Sequence, residues 1–202
     1  EKKKVGLLKD IASIIQYTSS HTRLRATMIF CSLIAASTLT SVWFIQPYLI
    51  EADIDVFWNG IVWAALNASL MVFAWFSEKI EHYLGEDLLL ILITILPTIG
   101  FIFLALFSAT AFLIPLFLLF YLTRALNSSF GKSYVQEYAR PDARASILSI
   151  QSLLFRLIFA FFGPIAGIIA TRYSLYHSFT ATALFFGLTA IGALYFIKKA
   201  RS

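Results

Sequence analysis

Apolar residues along this chain fall in long runs rather than in the narrow stripes that a soluble helix shows or the alternation of an exposed strand. Six such runs stand out, at residues 26–50, 57–76, 88–107, 111–126, 146–170 and 178–197. Each is close to the ~20 residues that a helix needs to cross a hydrocarbon layer ~30 Å thick. Strands of a membrane barrel would be shorter and would alternate polar with apolar positions, so the runs predict helices. The fourth is expected to continue as a helix to about residue 138, because NSSFGKSYVQEYAR is helix-compatible until Pro141 ends it. Ahead of the first run, residues 1–25 begin with Lys2, Lys3 and Lys4. Val5, Leu8, Ile11 and Ile15 then recur at helical spacing, which predicts a basic amphipathic cytoplasmic linker, suited to lying in the headgroup layer and equally readable as a plain solvated linker.

Composition sharpens this picture. The chain is 59% hydrophobic and 13% charged, with 20 Phe, and its mean hydropathy is +0.80. One core cannot hide that much apolar surface, so the chain belongs in lipid as an all-α bundle. A single cysteine, Cys31, excludes a disulfide framework, and the distant His21, His82 and His177 give no metal cluster. No cofactor or metal is implied.

Charge sets an orientation. Fourteen of the 16 Lys and Arg residues, from Lys2 to Arg201, fall on the side of the N-terminus; Arg172 alone falls on the other, and Arg156 lies within a run. Both termini are therefore expected in the cytoplasm, with Glu51, Asp53 and Asp55 outside. The net charge of +5 reflects this topology. No soluble basic surface remains for nucleic acid.

Arg156 is the leading candidate for function. It lies about ten residues, or ~15 Å, into the fifth run, where a guanidinium costs at least ~2.5–3.5 kcal/mol. None of the six runs contains Asp or Glu to compensate it. Either a substrate or an absent part of the protein supplies its partner, or backbone carbonyls, amides and water do. Ser149, Ser152, Arg156, Ala160, Gly163 and Gly167 share one helical face, whose small residues Ala160, Gly163 and Gly167 would let another helix approach closely. Asn67 and Trp63 on the second run, Ser41 on the first and Tyr121 on the fourth are further candidates for substrate contact. Against each stands a structural reading: Asn67 as a packing amide, Trp63 in the interfacial aromatic belt, Ser41 bonded to its own helix. Arg124 shares a face with Tyr121, Ser128 and Gly131. Its long side chain reads first as a headgroup anchor and second as part of a cytoplasmic gate.

The run YLTRALNSSFGKSYVQEYARPDARASILSIQSLLFRLIFAFFGPIAGIIATRYS resembles the tenth and eleventh helices of major facilitator superfamily (MFS) transporters. The features that carry the resemblance are Arg124, Pro141, Arg144-Ala145, the serine- and leucine-rich stretch 146–154, and Gly163-Pro164 with Gly167. The order and spacing of all six runs are similar to one half of that twelve-helix fold. In SEKIEHYLGED the family's loop glycine matches Gly85, but Glu86 and Asp87 stand where basic residues are usual, and Thr171 and Ser174 replace a frequent aspartate and glycine.

The resemblance implies the C-terminal six-helix half of a secondary transporter, a fragment that works against an N-terminal half. It would carry a small solute by alternating access, with Arg124, Arg144 and Gly85 at the cytoplasmic gate, in the plasma membrane and most naturally a bacterial inner membrane. Lipids, the partner half and a small-molecule substrate would be its contacts. The alternatives are a half-transporter that assembles with copies of itself and a non-catalytic membrane module of a larger complex. An intramembrane protease is disfavoured because all three histidines are peripheral, so the chain reads as a non-enzyme.

Overall fold

The computed structural model describes Ser13 and residues 16–201. The lysines at 2–4 and the apolar positions Val5, Leu8, Ile11 and Ile15 of the expected linker lie outside the described residues. The fold is all-helical: α1 Thr22–Glu51, α2 Val56–Leu106, a 3-10 turn Ala111–Leu116, α3 Phe117–Tyr138, α4 Arg144–Arg172 and α5 Leu175–Arg201. All five long helices have the length and apolar character to cross a membrane.

α2 is two limbs. At 51 residues a straight helix would be ~75 Å long, yet Trp58 near its start and Ala111 just past its end line the same cavity. The chain folds back at Gly85, whose φ of 71° and ψ of 165° interrupt the helix. That backbone region is nearly exclusive to glycine, which explains why this residue marks the turn. Residues 56–84 form the first limb and 86–106 the second.

Two other boundaries differ from the apolar runs. α1 begins at Thr22, because backbone hydrogen bonding starts once the chain leaves His21, whatever the polarity of Arg23 and Arg25. The fourth run opens as a 3-10 turn carrying Pro115 and becomes α-helical at Phe117. Proline lacks the N–H that an interior helical position would donate, so it is accommodated in this tight opening turn.

α1 is the hub. Seventeen of its thirty residues are buried. Several of its polar groups are bonded within the helix or to its neighbours, while Thr27 Oγ1 and Ser37 Oγ are buried without a partner among the described residues. The Tyr48 hydroxyl accepts from the Thr110 N–H and donates to the Thr110 carbonyl, both at 3.1 Å, tying the end of α1 to the segment after α2. Ser32 Oγ donates to the Gln151 carbonyl of α4 at 3.3 Å, and Asn127 Nδ2 of α3 donates to the Cys31 carbonyl at 3.0 Å.

The apolar interior divides into two clusters along the bundle. One gathers Phe30, Cys31, Leu89, Leu90, Ile93, Phe130 and Ile147; the other gathers Tyr48, Phe101, Phe117, Phe120, Tyr121 and Phe179. Aromatic pairs knit the second: Phe101 and Phe120 centroids are 4.5 Å apart, Phe44 and Phe179 5.4 Å in an edge-to-face arrangement. Gly100 makes room for this, since a Cβ there would lie 2.7 Å from the Phe120 ring.

Burial is uneven. α4 buries only Ile147, Phe162 and Ala166 of its 29 residues. Leu153, Leu157, Phe161, Ile165 and Ile168 are all exposed, and so are Met71, Val72 and Trp75 of the first limb of α2.

Candidate functional site

Two cavities with polar linings run beside α3, and one row of side chains separates them. Arg124, Ser128 and Lys132 follow at intervals of four, which places them on one face of the helix. All three line both cavities. The first cavity, about 280 Å³, lies between α1, α3 and α4; Thr38, Asn127, Gln151 and Ser152 contribute its other polar groups. The second, about 470 Å³, lies between α3 and the first limb of α2, where Ser77, Glu78, Ser129, Ser133 and Gln136 join the row.

α3 presents this face because its opposite side is apolar and filled. Phe117, Phe120, Tyr121, Phe130 and Tyr134 are buried against the rest of the bundle. Gly131 brings α4 close: a Cβ at that position would meet the Gln151 amide nitrogen at 3.1 Å and Cys31 Sγ at 3.7 Å. The absent side chain thus lets the Gln151 amide sit at the cavity wall.

The electrostatics of the first cavity have one sign. Arg124 and Lys132 are its charged residues, and no carboxylate lines it. Among the described residues neither side chain takes part in a hydrogen bond or a salt bridge, whereas Arg140 and Asp142 pair at 3.5 Å. The second cavity adds one carboxylate, Glu78. One turn further along α2, Glu81 accepts a hydrogen bond from Ser129 Oγ at 3.1 Å. Burial pushes its carboxyl above the usual range, the Ser129 bond pulls it back, and Glu78 adds to the rise.

The residues singled out by sequence reach different places. Arg124 lines both cavities, together with Ser128 and, in the first, Gly131. Arg156 lies one turn beyond Ser152, exposed on the open face of α4, its guanidinium carbon 5.7 Å from the centroid of the neighbouring Phe155 ring. It is not among the residues that line either polar cavity. Asn67 Nδ2 donates to the Trp63 carbonyl at 2.8 Å on an exposed stretch of the same helix, and Trp63 packs half-buried against the aromatic cluster. Ser41 is buried and donates to the Thr38 carbonyl at 2.7 Å. Tyr121 is 1% exposed and its hydroxyl has no hydrogen-bond partner among the described residues. Arg144 Nε donates to the Ala139 carbonyl at 3.2 Å, closing the turn around Pro141. Gly85 forms the fold-back of α2.

The small residues of α4 are not met by another helix of this chain. Nothing lies within 4 Å of where a Cβ on Gly167 would stand, and at Gly163 the nearest group is Phe159, one turn earlier on the same helix. Ala160 is likewise exposed. The close helix approach expected on this face is therefore absent among the described residues, because α4 turns it outward.

Lys132, Asn127, Gln151 and Thr38 emerge only in three dimensions. Lys132 reads in the sequence as one more cytoplasmic cation. Its spacing of eight from Arg124 was the available signal, and it gained meaning once both were found on a cavity wall. Asn127 carries a second feature: its Nδ2 is bonded to Cys31, while its buried Oδ1 has no partner among the described residues.

Comparison with family models, with curated proteins and with solved structures returned no match to this chain.

Proposed function

We propose that the chain is one half of a secondary transporter of the MFS type, moving a small solute by rocking against a complementary six-helix half. The observation that carries this reading is the polar, cation-lined cleft beside α3 in a bundle that is otherwise apolar. Polar linings are costly at membrane depth and are maintained where water or a solute passes. In transporters built from paired repeats, the solute site lies where the repeats meet.

The uncovered faces support the same reading. α4 and the first limb of α2 leave broad apolar surface exposed, as α5 does, and α4 carries Arg156 and the small residues Ala160, Gly163 and Gly167 on that surface. A second half docked there supplies a partner for Arg156 and a helix for the glycines, and it closes the cleft on its open side. The two limbs of α2 count as separate spans, giving six crossings with both termini in the cytoplasm. Arg124, with Arg144 and Gly85 at the same end, then stands toward the inner gate.

The test is solute flux by the full gene product in proteoliposomes, with Arg156→Ala and Arg156→Lys. Loss of transport in the alanine variant with partial recovery in the lysine variant is expected. Unchanged rate and unchanged substrate affinity in both would remove Arg156 from the transport path.

A further inference from the structure

We infer that the cleft along α3 binds an oxyanion, a phosphate or carboxylate group, on Arg124 and Lys132; this rests on the transporter reading and names the class of its solute. In the first cavity two cations stand without a carboxylate among the lining residues. Neither is neutralised by a hydrogen bond or a salt bridge among the described residues. Other exposed arginines differ in their setting: Arg23 Nε donates to the Ala200 carbonyl, Arg25 to the Ser19 carbonyl, Arg140 pairs with Asp142, and Arg156 and Arg172 line neither polar cavity. Arg124 and Lys132 are set apart by lining both open polar cavities beside α3.

Chemistry of the wall fits the ligand. Arg offers a planar fork matched to two oxygens and Lys a point charge, the usual pair for phosphate or carboxylate. The spacing of eight residues corresponds to ~12 Å along the helix axis, within which both long side chains can reach one anion held beside Ser128. Gln151, held against α3 by the missing side chain of Gly131, adds an amide donor. The buried, unpartnered Oδ1 of Asn127 is an acceptor, and it calls for a donor on the same ligand. Hydrogen phosphate and hydroxycarboxylates carry both functions. Glu78 of the second cavity offsets at most one of the two positive charges, so a neutral sugar or a cation would leave net positive charge in the cleft as it closes, at a cost that grows as water is excluded.

The same chemistry has two sources, a free anion and the phosphodiester of an anionic lipid, and binding distinguishes them. The full gene product is placed in phosphatidylcholine nanodiscs, and its thermal unfolding is followed against inorganic phosphate or malate, with chloride at matched ionic strength as reference. A rise in midpoint with phosphate or malate over chloride is expected. Arg124→Gln and Lys132→Gln should each weaken the half-saturating concentration about tenfold, equivalent to ~1.4 kcal/mol. Lys79→Gln, away from the cavity lining, should respond as wild type. If the rise appears only when phosphatidylglycerol replaces phosphatidylcholine, and is lost in the same two variants, the oxyanion is a lipid headgroup. No anion-dependent rise in either lipid overturns the inference, and so does a rise that both variants retain. Flux in proteoliposomes separates the two readings: anion binding without translocation leaves the oxyanion site and removes the transporter, while translocation without anion preference does the reverse.

Discussion

Single residues in this bundle act mainly by what they leave out. Gly100 has no side chain because the Phe120 ring occupies the space, with 2.7 Å between that ring and a notional Cβ. Phe120 is completely buried and packed against Phe101 in a tilted ring pair, so it cannot swing clear. Gly100→Ala is therefore expected to destabilise by ~1–3 kcal/mol, the usual cost of overpacking, read as a lower midpoint of thermal unfolding in detergent. In the sequence Gly100 follows Pro97 by three residues, and nothing there signals the ring. Ser41, Asn67 and Thr94 show the complementary limit. Each bonds a carbonyl three or four residues back on its own helix, which is the commonest fate of a short polar side chain in lipid. A polar stripe in the sequence is thus ambiguous between self-satisfied side chains and a cavity wall. Arg124 and Lys132 escape that ambiguity because their cations have no carboxylate within reach in the first cavity.

At the level of elements, apolar run length was a dependable guide to where helices form, and the turns between them were set by single backbone requirements. Gly85 is the clearest case. Nothing surrounds its Cα within 4 Å of a notional Cβ, so space does not forbid a side chain; φ of +71° does. Gly85→Ala should cost ~1–3 kcal/mol through backbone strain alone. A lower unfolding midpoint with unchanged helix content by circular dichroism checks it. A fall no larger than that of an alanine placed at the neighbouring exposed Asp87 would mean that the limbs do not depend on this dihedral. α3 illustrates what run length misses. Its extension to Tyr138 is polar on one face and aromatic on the other, with Tyr134 and Tyr138 centroids 4.5 Å apart. The extension thus carries the cleft past the end of the apolar run.

For the whole molecule, the uncovered faces make the strongest claim. In the proposed assembly Gly167 meets a helix of the complementary half, while within this chain it meets nothing within 4 Å. Gly167→Leu should leave the unfolding midpoint of the isolated chain unchanged and reduce recovery of the assembled transporter by size-exclusion chromatography. Equal assembly with both residues would take this face out of the interface. Topology is tested separately by cysteine labelling in a Cys31→Ser background. A cysteine at Asp53 should react with an impermeant maleimide from outside, and one at Tyr83 should react only after the membrane is opened. The opposite pattern would invert the charge-based orientation.

Sequence alone determined that the chain is all-helical, with runs long and apolar enough to cross a membrane, and approximately where those helices fall. In a hydrocarbon layer each backbone N–H and C=O must be satisfied within its own segment, so length and polarity of a run are enough to specify a helix. Sequence could not determine which faces of those helices meet each other. When a helix is apolar all round, lipid-facing and protein-facing sides carry the same residues, and the amphipathic signal that orients a soluble helix is missing. Only the tertiary structure decided that α1 would be central and α4 peripheral. It also decided that Arg156 would stand on an open face, and that Arg124, Lys132, Asn127 and Gln151 would meet around one cavity. The physical reason is packing: Gly131 and Gly100 admit a neighbour's side chain at the distances described, and that fit depends on residues far apart in the chain.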